Sequence, residues 1–226
     1  MTSEAGNVTR ALIVYSTQTG NTEYLARGVH RLLGQGADAT STTVADIRDE
    51  PDPAPFDAVL LAFWVNRGTA DDQTLAYIDR LSGARVGLLG TLGAYPDSQH
   101  ARDVEQRVRA LVSERNTVLG CFLCQGRIDP RLTERFKSLP ADHPHAMTSE
   151  RVKRHLDASS HPDEHDVANA VAACRRMLAM EEARLARSGS QSTWRRASRF
   201  PTRGWRRSSS SSCSRCSSQS ALWSAA

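Results

Sequence analysis

Apolar residues recur along this chain as short continuous runs separated by stretches with helical spacing. The runs are Ala11 to Tyr15, Asp57 to Phe63, Arg85 to Gly90 and Thr117 to Leu123. Each is apolar nearly throughout and rich in leucine and β-branched residues, the pattern of strands covered on both faces. A weaker segment, Ser41 to Ile47, alternates polar and apolar residues and predicts an edge strand. Between the runs, Leu25, Val29, Leu32 and Leu33 fall on one helical face, Leu75, Ile78 and Leu81 on a second, and Ala101, Val104, Val108 and Leu111 on a third. Val167, Val171, Cys174, Leu178 and Leu185 predict a last long helix, entered through Pro162. Parallel strands need crossovers, and these are almost always right-handed. The alternation therefore predicts an α/β domain built on a doubly wound, five-stranded parallel sheet. Gln125 to His161 breaks the rhythm. It reads as a polar insertion after the fifth strand, carrying two shorter helical pieces, Pro130 to Lys137 and Ser149 to Leu156.

Charge changes the picture only at one end. The chain has 226 residues and a formal charge of +4, but Ser188 to Ala226 holds seven arginines and no acid. Without them 22 basic residues face 25 acidic ones, so residues 1–187 are slightly acidic and no nucleic-acid partner is expected. The Ser/Arg-rich tail, with 14 serines and no apolar periodicity, is predicted to be disordered. The first ten residues contain no apolar signal region, and no uncharged stretch is long enough to span a membrane. Five cysteines do not make a disulfide framework, and a cytoplasmic location is expected.

In an open parallel sheet, ligands bind beyond the carboxyl ends of the strands, so the segments after each apolar run are the candidates. After the first comes Ser16, Thr17, Gln18, Thr19, Gly20, Asn21 and Thr22. This is neither a Walker A loop, since it has no Gly-Lys pair, nor G-x-G-x-x-G. It nevertheless opens a helix, where orphan amides and the dipole favour an anion, and its hydroxyls and amides are neutral donors. Such a set suits one terminal phosphate monoester better than a triphosphate with Mg²⁺. A Thr or Asn cap on an ordinary helix would explain one of these residues, not the run. Trp64 and Tyr95, past two later strands, offer flat faces for a planar heterocycle or cover the top edge of the sheet. Gly68, Gly90 and Gly93 would let backbone amides approach its edge.

Residues 17–22, Thr-Gln-Thr-Gly-Asn-Thr, match the phosphate loop of the flavodoxins, placed after the first strand as in that family, and the order of elements agrees from Ala11 to about Leu185. The chain thus resembles flavodoxins. The resemblance implies a flavodoxin-like fold in which the first loop, Ser16 to Thr22, holds the phosphate of FMN. It also implies that the isoalloxazine lies between the Trp64 loop (Trp64, Val65, Asn66, Gly68) and the Tyr95 loop (Thr91, Leu92, Gly93, Tyr95). The stretches WVNRGTAD, GTLGAYPDSQHA, FLCQGRIDPRL and HPDEHD are similar to a flavodoxin-like family that accompanies bilirubin reductase in anaerobic bacteria, which implies such a reductase as redox partner. No side chain need act as acid or base, because the flavin carries the redox chemistry. Flavodoxins commonly carry clustered acids near the ring; here Arg67 enters the third-strand loop, which would favour the anionic reduced flavin. The alternatives are an FMN-dependent reductase with its own small-molecule substrate, and a scaffold that binds another phosphate ligand or none.

Other constellations are weaker. Cys121 and Arg127 have the C-x5-R spacing of cysteine phosphatases, but Cys121 lies inside an apolar run. Cys121 and Cys124, in one strand, point to opposite faces and read as core thiols. Cys213 and Cys216 have no second ligand pair for zinc. Five of the seven histidines fall within His143 to His165, which reads as a polar, partner-facing insertion more readily than as a metal site.

Overall fold

The computed structural model describes residues 9–35, 40–140, 143 and 146–179. The elements are β1 (Thr9–Tyr15), α1 (Asn21–Leu33), β2 (Thr40–Asp46), β3 (Ala58–Asn66), β4 (Thr69–Ala70), α2 (Asp72–Arg80), β5 (Arg85–Leu92), α3 (Gln99–Ser113), β6 (Thr117–Gln125), α4 (Pro130–Lys137) and α5 (Ser149–Ala158). A last helix, α6, covers residues 164–179. Five strands pair in parallel in the order β2-β1-β3-β5-β6. The chain steps from β1 outward to β2, then returns to β3 on the other side of β1. The order therefore reverses between β1 and β3, and a crevice opens above their carboxyl ends.

The continuous apolar runs are explained by burial on both faces. Ala11, Ile13 and Tyr15 of β1 pack with Leu25, Val29 and Leu33 of α1 and with Val167, Val171 and Cys174 of α6. Leu12 and Val14 point the other way, into a second core with Ile78 of α2 and Val104, Val108 and Val112 of α3. A fully buried leucine such as Leu60 stabilises the sheet by about 1.5–3 kcal/mol, and its truncation to alanine would cost about 2–5 kcal/mol. The edge strand β2, Thr-Ser-Thr-Thr-Val-Ala-Asp, is half-exposed along its length, as its alternation predicts.

Three strands run further than their apolar cores. β3 continues through Trp64, Val65 and Asn66, and there folds back as a hairpin: Val65 pairs with Ala70 and Asn66 with Thr69, antiparallel. β5 reaches Leu92 and β6 reaches Gln125. Trp64, Val65, Asn66, Thr91 and Leu92 are thus strand residues at the rim, not loop residues. The reading of residues 188–226 as a disordered tail lies outside the described residues, as do Leu185 and the zinc question at Cys213 and Cys216.

Candidate functional site

The crevice between β1 and β3 is built from the start of α1. Gly20 is its N-cap, at φ +87°, a left-handed conformation that glycine enters without the penalty of a Cβ. Among the described residues, no side chain caps this helix. The contrast within the molecule is sharp. Asp71 caps α2, Ser98 caps α3, Asp129 caps α4, Thr148 caps α5 and Asp163 caps α6, each through a side-chain oxygen that accepts a first-turn amide. The opening amides of α1 are left for another acceptor. The loop also prepares hydroxyl donors. Thr17 Oγ1 accepts the Gly20 amide at 3.0 Å, and Thr19 Oγ1 accepts the Asn21 side-chain amide at 3.1 Å. Each hydroxyl proton remains available to an anion.

Two residues of the predicted loop face inward instead. Ser16, 1% exposed, donates its hydroxyl to Asp71 Oδ1 at 2.7 Å. Thr22 lies on the buried face of α1 and shares a 2.8 Å hydrogen bond with the hydroxyl of Thr91, itself 3% exposed. Both threonines join α1 to β5 beneath the crevice. Asn21 reaches across: its side-chain amide donates to the Arg127 carbonyl at 2.8 Å and packs against Gly126, joining the first loop to the segment after β6.

Trp64 stands between two recesses. On one side is a cleft of about 170 Å³, lined by Gln18, Thr19 and Asn21, by Thr91, Leu92 and Gly93, and by Ile128 and Leu132 of the insertion. On the other, Thr17, Gln18, Asn66, Asp71 and Gln73 line a second hollow that also borders Trp64. Of the sequence-derived residues, Thr17, Gln18, Thr19, Asn21, Val65, Asn66, Thr91, Leu92 and Gly93 line these recesses with Trp64; besides the inward-facing Ser16 and Thr22 and the cap Gly20, Gly68 and Tyr95 do not. Gly68 sits on the hairpin beyond Asn66, where Arg107 of α3 donates to its carbonyl oxygen. Tyr95 does not line the cleft: its hydroxyl donates to Asp157 of α5 at 2.8 Å, and that carboxylate holds the phenol above its usual range.

The residue that sequence reasoning missed is Asp71. It is 2% exposed and accepts the hydroxyls of Ser16 and Thr74, each at 2.7 Å, together with the Thr74 amide. Its own amide donates to the Trp64 carbonyl at 3.2 Å. The carboxylate thus joins the residue after β1 to the start of α2, and the backbone amide of the same residue reaches the end of β3. The Asp-x-x-Thr pattern ahead of a helical stretch is the signal that would have marked it as a cap. Gln125, 5% exposed at the end of β6, keeps a buried side-chain nitrogen without a hydrogen-bond partner among the described residues.

The rival constellations are accounted for by structure. Cys121 packs into the core on the α3 side and Cys124 into the core on the α1 side, so they point apart, and burial pushes both thiols up, Cys121 to about 12. Neither is a poised nucleophile. Among the described residues, His161, Asp163 and Asp166 bring potential metal ligands within 4.8 Å of one another. Asp163 accepts the amides of His165 and Asp166, and Asp166 accepts the amide of Asp163 and bonds His161, so the group is the reciprocal cap of α6. Glu164, between His161 and His165, accepts the Tyr24 hydroxyl and pairs with Arg31. A larger hollow of about 650 Å³ lies between residues 50–57 and the end of α2. It lies at the amino ends of β3 and β5, away from the uncapped helix and from Trp64.

The chain is similar to several known proteins. The flavodoxin-like domain-containing protein BilS of Clostridioides difficile (strain CD3) is 25% identical over 176 residues, covering 75% of this chain and 96% of that protein. Its namesake from Clostridium symbiosum (strain WAL-14163) is 25% identical over 169 residues, covering 69% and 89%. Among solved structures, a single-residue mutant of flavodoxin from Pseudomonas aeruginosa aligns with a TM-score of 0.41 at 21% identity, covering 73% of this chain and 98% of that one. The family model described as a flavodoxin domain matches residues 12–175, and the chain belongs to the flavodoxin family.

Proposed function

We propose that this chain binds FMN without a covalent link and passes electrons between it and a partner protein. The observation that carries the reading is the uncapped start of α1, with the prepared hydroxyls of Thr17 and Thr19, directly beside Trp64 at the point where strand order reverses. A site with neutral donors at one end and an aromatic face at the other has the donor set for a phosphate monoester joined to a planar ring. In this reading the amides of Asn21 and its neighbours, with Thr17 and Thr19, hold the phosphate. Trp64 gives the ring a stacking face, and Thr91, Leu92 and Gly93 border its edge. Ser16 and Thr22 act from beneath, fixing the loop through Asp71 and Thr91. Tyr95 supports the opposite rim by its bond to α5. FMN, when bound, supplies one- and two-electron chemistry, and the protein sets orientation and potential.

The partner in this proposal is a reductase of the kind that acts on bilirubin, a reading supported by the two relatives that carry the BilS name and by the resemblance of WVNRGTAD, GTLGAYPDSQHA, FLCQGRIDPRL and HPDEHD to that family. A second reading, a reductase with its own small-molecule pocket, has one observation in its favour: Ile128 and Leu132 of the insertion line the same cleft as the flavin-site residues. The test is the visible spectrum of the purified protein, with the released cofactor identified by mass. Flavin bands and FMN are expected. Colourless protein that takes up no added FMN would refute the proposal, and oxidation of NAD(P)H without a partner would favour the second reading.

A further inference from the structure

We propose that Arg67 is the cation by which this face recognises an acidic protein partner. The inference rests on the proposed flavin function and concerns the surface through which electrons are exchanged. Arg67 and Gly68 are the central residues of the two-residue turn between β3 and β4, and both have positive φ, +49° and +78°. Such turns take Asn, Asp or Gly at the first of these positions, because a larger side chain there crowds its own backbone. An arginine kept in that conformation points to a use outside the fold.

The fold makes no other use of it. Arg67 is exposed, and among the described residues its guanidinium has no hydrogen bond or ion pair. The turn is held without it, by the pairs Val65–Ala70 and Asn66–Thr69 and by the Arg107 guanidinium on the Gly68 carbonyl. Its place is the rim of the site, since the preceding residue, Asn66, lines the hollow beside Trp64. Of the acids bordering that hollow, Asp71 is buried and engaged by Ser16 and Thr74, and Asp72 stands in the first turn of α2. Arg107 has no carboxylate partner among the described residues, and His100 approaches the same glycine. Arg67 and Arg107, two arginines at one hairpin that pair with no carboxylate among the described residues, are complemented by carboxylates brought from outside. The occupant is a protein surface, not a small acid. Leu132, 40% exposed, lines the cleft that Trp64 also lines, which gives the face an apolar centre and a basic margin.

The test uses full-length protein loaded with FMN, reduced, and reoxidised by two haem proteins of opposite charge, acidic cytochrome b5 and basic cytochrome c. For R67G and R67N, reoxidation by cytochrome b5 is expected to slow about three-fold or more at low ionic strength while reoxidation by cytochrome c accelerates. Both differences are expected to close at about 0.5 M salt, and R67K is expected to behave as the parent. The urea midpoint of R67G, a readout that needs no cofactor, is expected at or above that of the parent, because glycine suits the turn. Unchanged rates with both acceptors, equal slowing with both, or a lowered midpoint in R67G would each overturn the proposal. Failure to bind FMN is seen in the spectrum before any variant is compared, and removes the flavin reading together with the role built on it.

Discussion

Replacing Asp71 with alanine tests whether one buried carboxylate holds the end of β1 to the start of α2. Loss of its cap on α2 costs about 1 kcal/mol. The hydroxyls of Ser16 and Thr74, on residues 1% and 0% exposed, would then lie without their acceptor, at about 1–3 kcal/mol each. Ser16 keeps a longer contact with Gln73 Oε1 at 3.3 Å, which reduces its share. Because the three bonds form one network, their losses do not add fully, and about 3 kcal/mol is the total to expect. With an m-value of roughly 2 kcal/mol/M, the urea midpoint should fall by about 1.5 M with m unchanged, measured by far-ultraviolet circular dichroism. Asp71→Asn retains a cap and one acceptor oxygen and should lose about half as much. Flavin affinity should fall in Asp71→Ala as well, since the lost carboxylate orients Ser16 at the start of the first loop. A midpoint within about 0.3 M of the parent would refute the reasoning, because no rearrangement of this network replaces both acceptors at so small a cost.

Three further outcomes are expected. Thr22→Val and Thr91→Val each leave one buried hydroxyl without its partner and should cost about 1–2 kcal/mol; the double variant should cost clearly less than the two together, and simple additivity in unfolding experiments would contradict the pairing. Gly20→Val places a Cβ in open space but at φ +87°, so the protein should fold with a penalty of about 1–2 kcal/mol and lose at least about ten-fold in FMN affinity by fluorescence titration. Unchanged affinity would place the phosphate elsewhere. Burial, with Arg154 and Arg151 nearby, holds His155 below the usual imidazole range. The unfolded chain therefore takes up that proton first, so the stabilisation is complete above about pH 6.5 and is lost as pH falls through the lower folded value. Since His155 bonds Thr133 and meets the Phe136 ring, α4 amides should lose hydrogen-exchange protection on acidification in the parent and not in His155→Gln. Identical profiles would show that His155 does not join α4 to α5.

What was legible in the sequence is what periodicity encodes. The parallel core strands, the long helices and the Pro130–Lys137 helix were all predicted from spacing, because burial on a stripe or on two faces leaves a repeating trace. The strand ends were not, since Trp64 to Asn66 mix polar and apolar residues where the sheet leaves the core, and a two-residue partner such as β4 has no period to detect. Thr22 was misjudged for a readable reason. It stands on the same stripe as Leu25, Ala26, Val29 and Leu33, so helical spacing places it inward, whereas motif matching counts it with the phosphate donors. The bonds of Asp71 to Ser16 and of Tyr95 to Asp157 join residues 55 and 62 positions apart, and no local pattern carries that information.

The bare first turn of α1 makes folding a function of what the solution contains. Among the described residues, five helices carry their own acceptor for the opening amides, whereas in the proposed function α1 takes its acceptor from the FMN phosphate. Any ligand that does so enters the folding equilibrium directly: at a hundred-fold excess over its dissociation constant it adds about 2.7 kcal/mol of stability. The effect does not stop at the helix. Asn21 is tied to the Arg127 carbonyl, and the Arg127 amide to the His161 carbonyl, so the first turn of α1 holds both ends of the insertion through one residue. Under the proposed function, filling the site works as a clasp, and the insertion is expected to be best ordered when the protein is loaded.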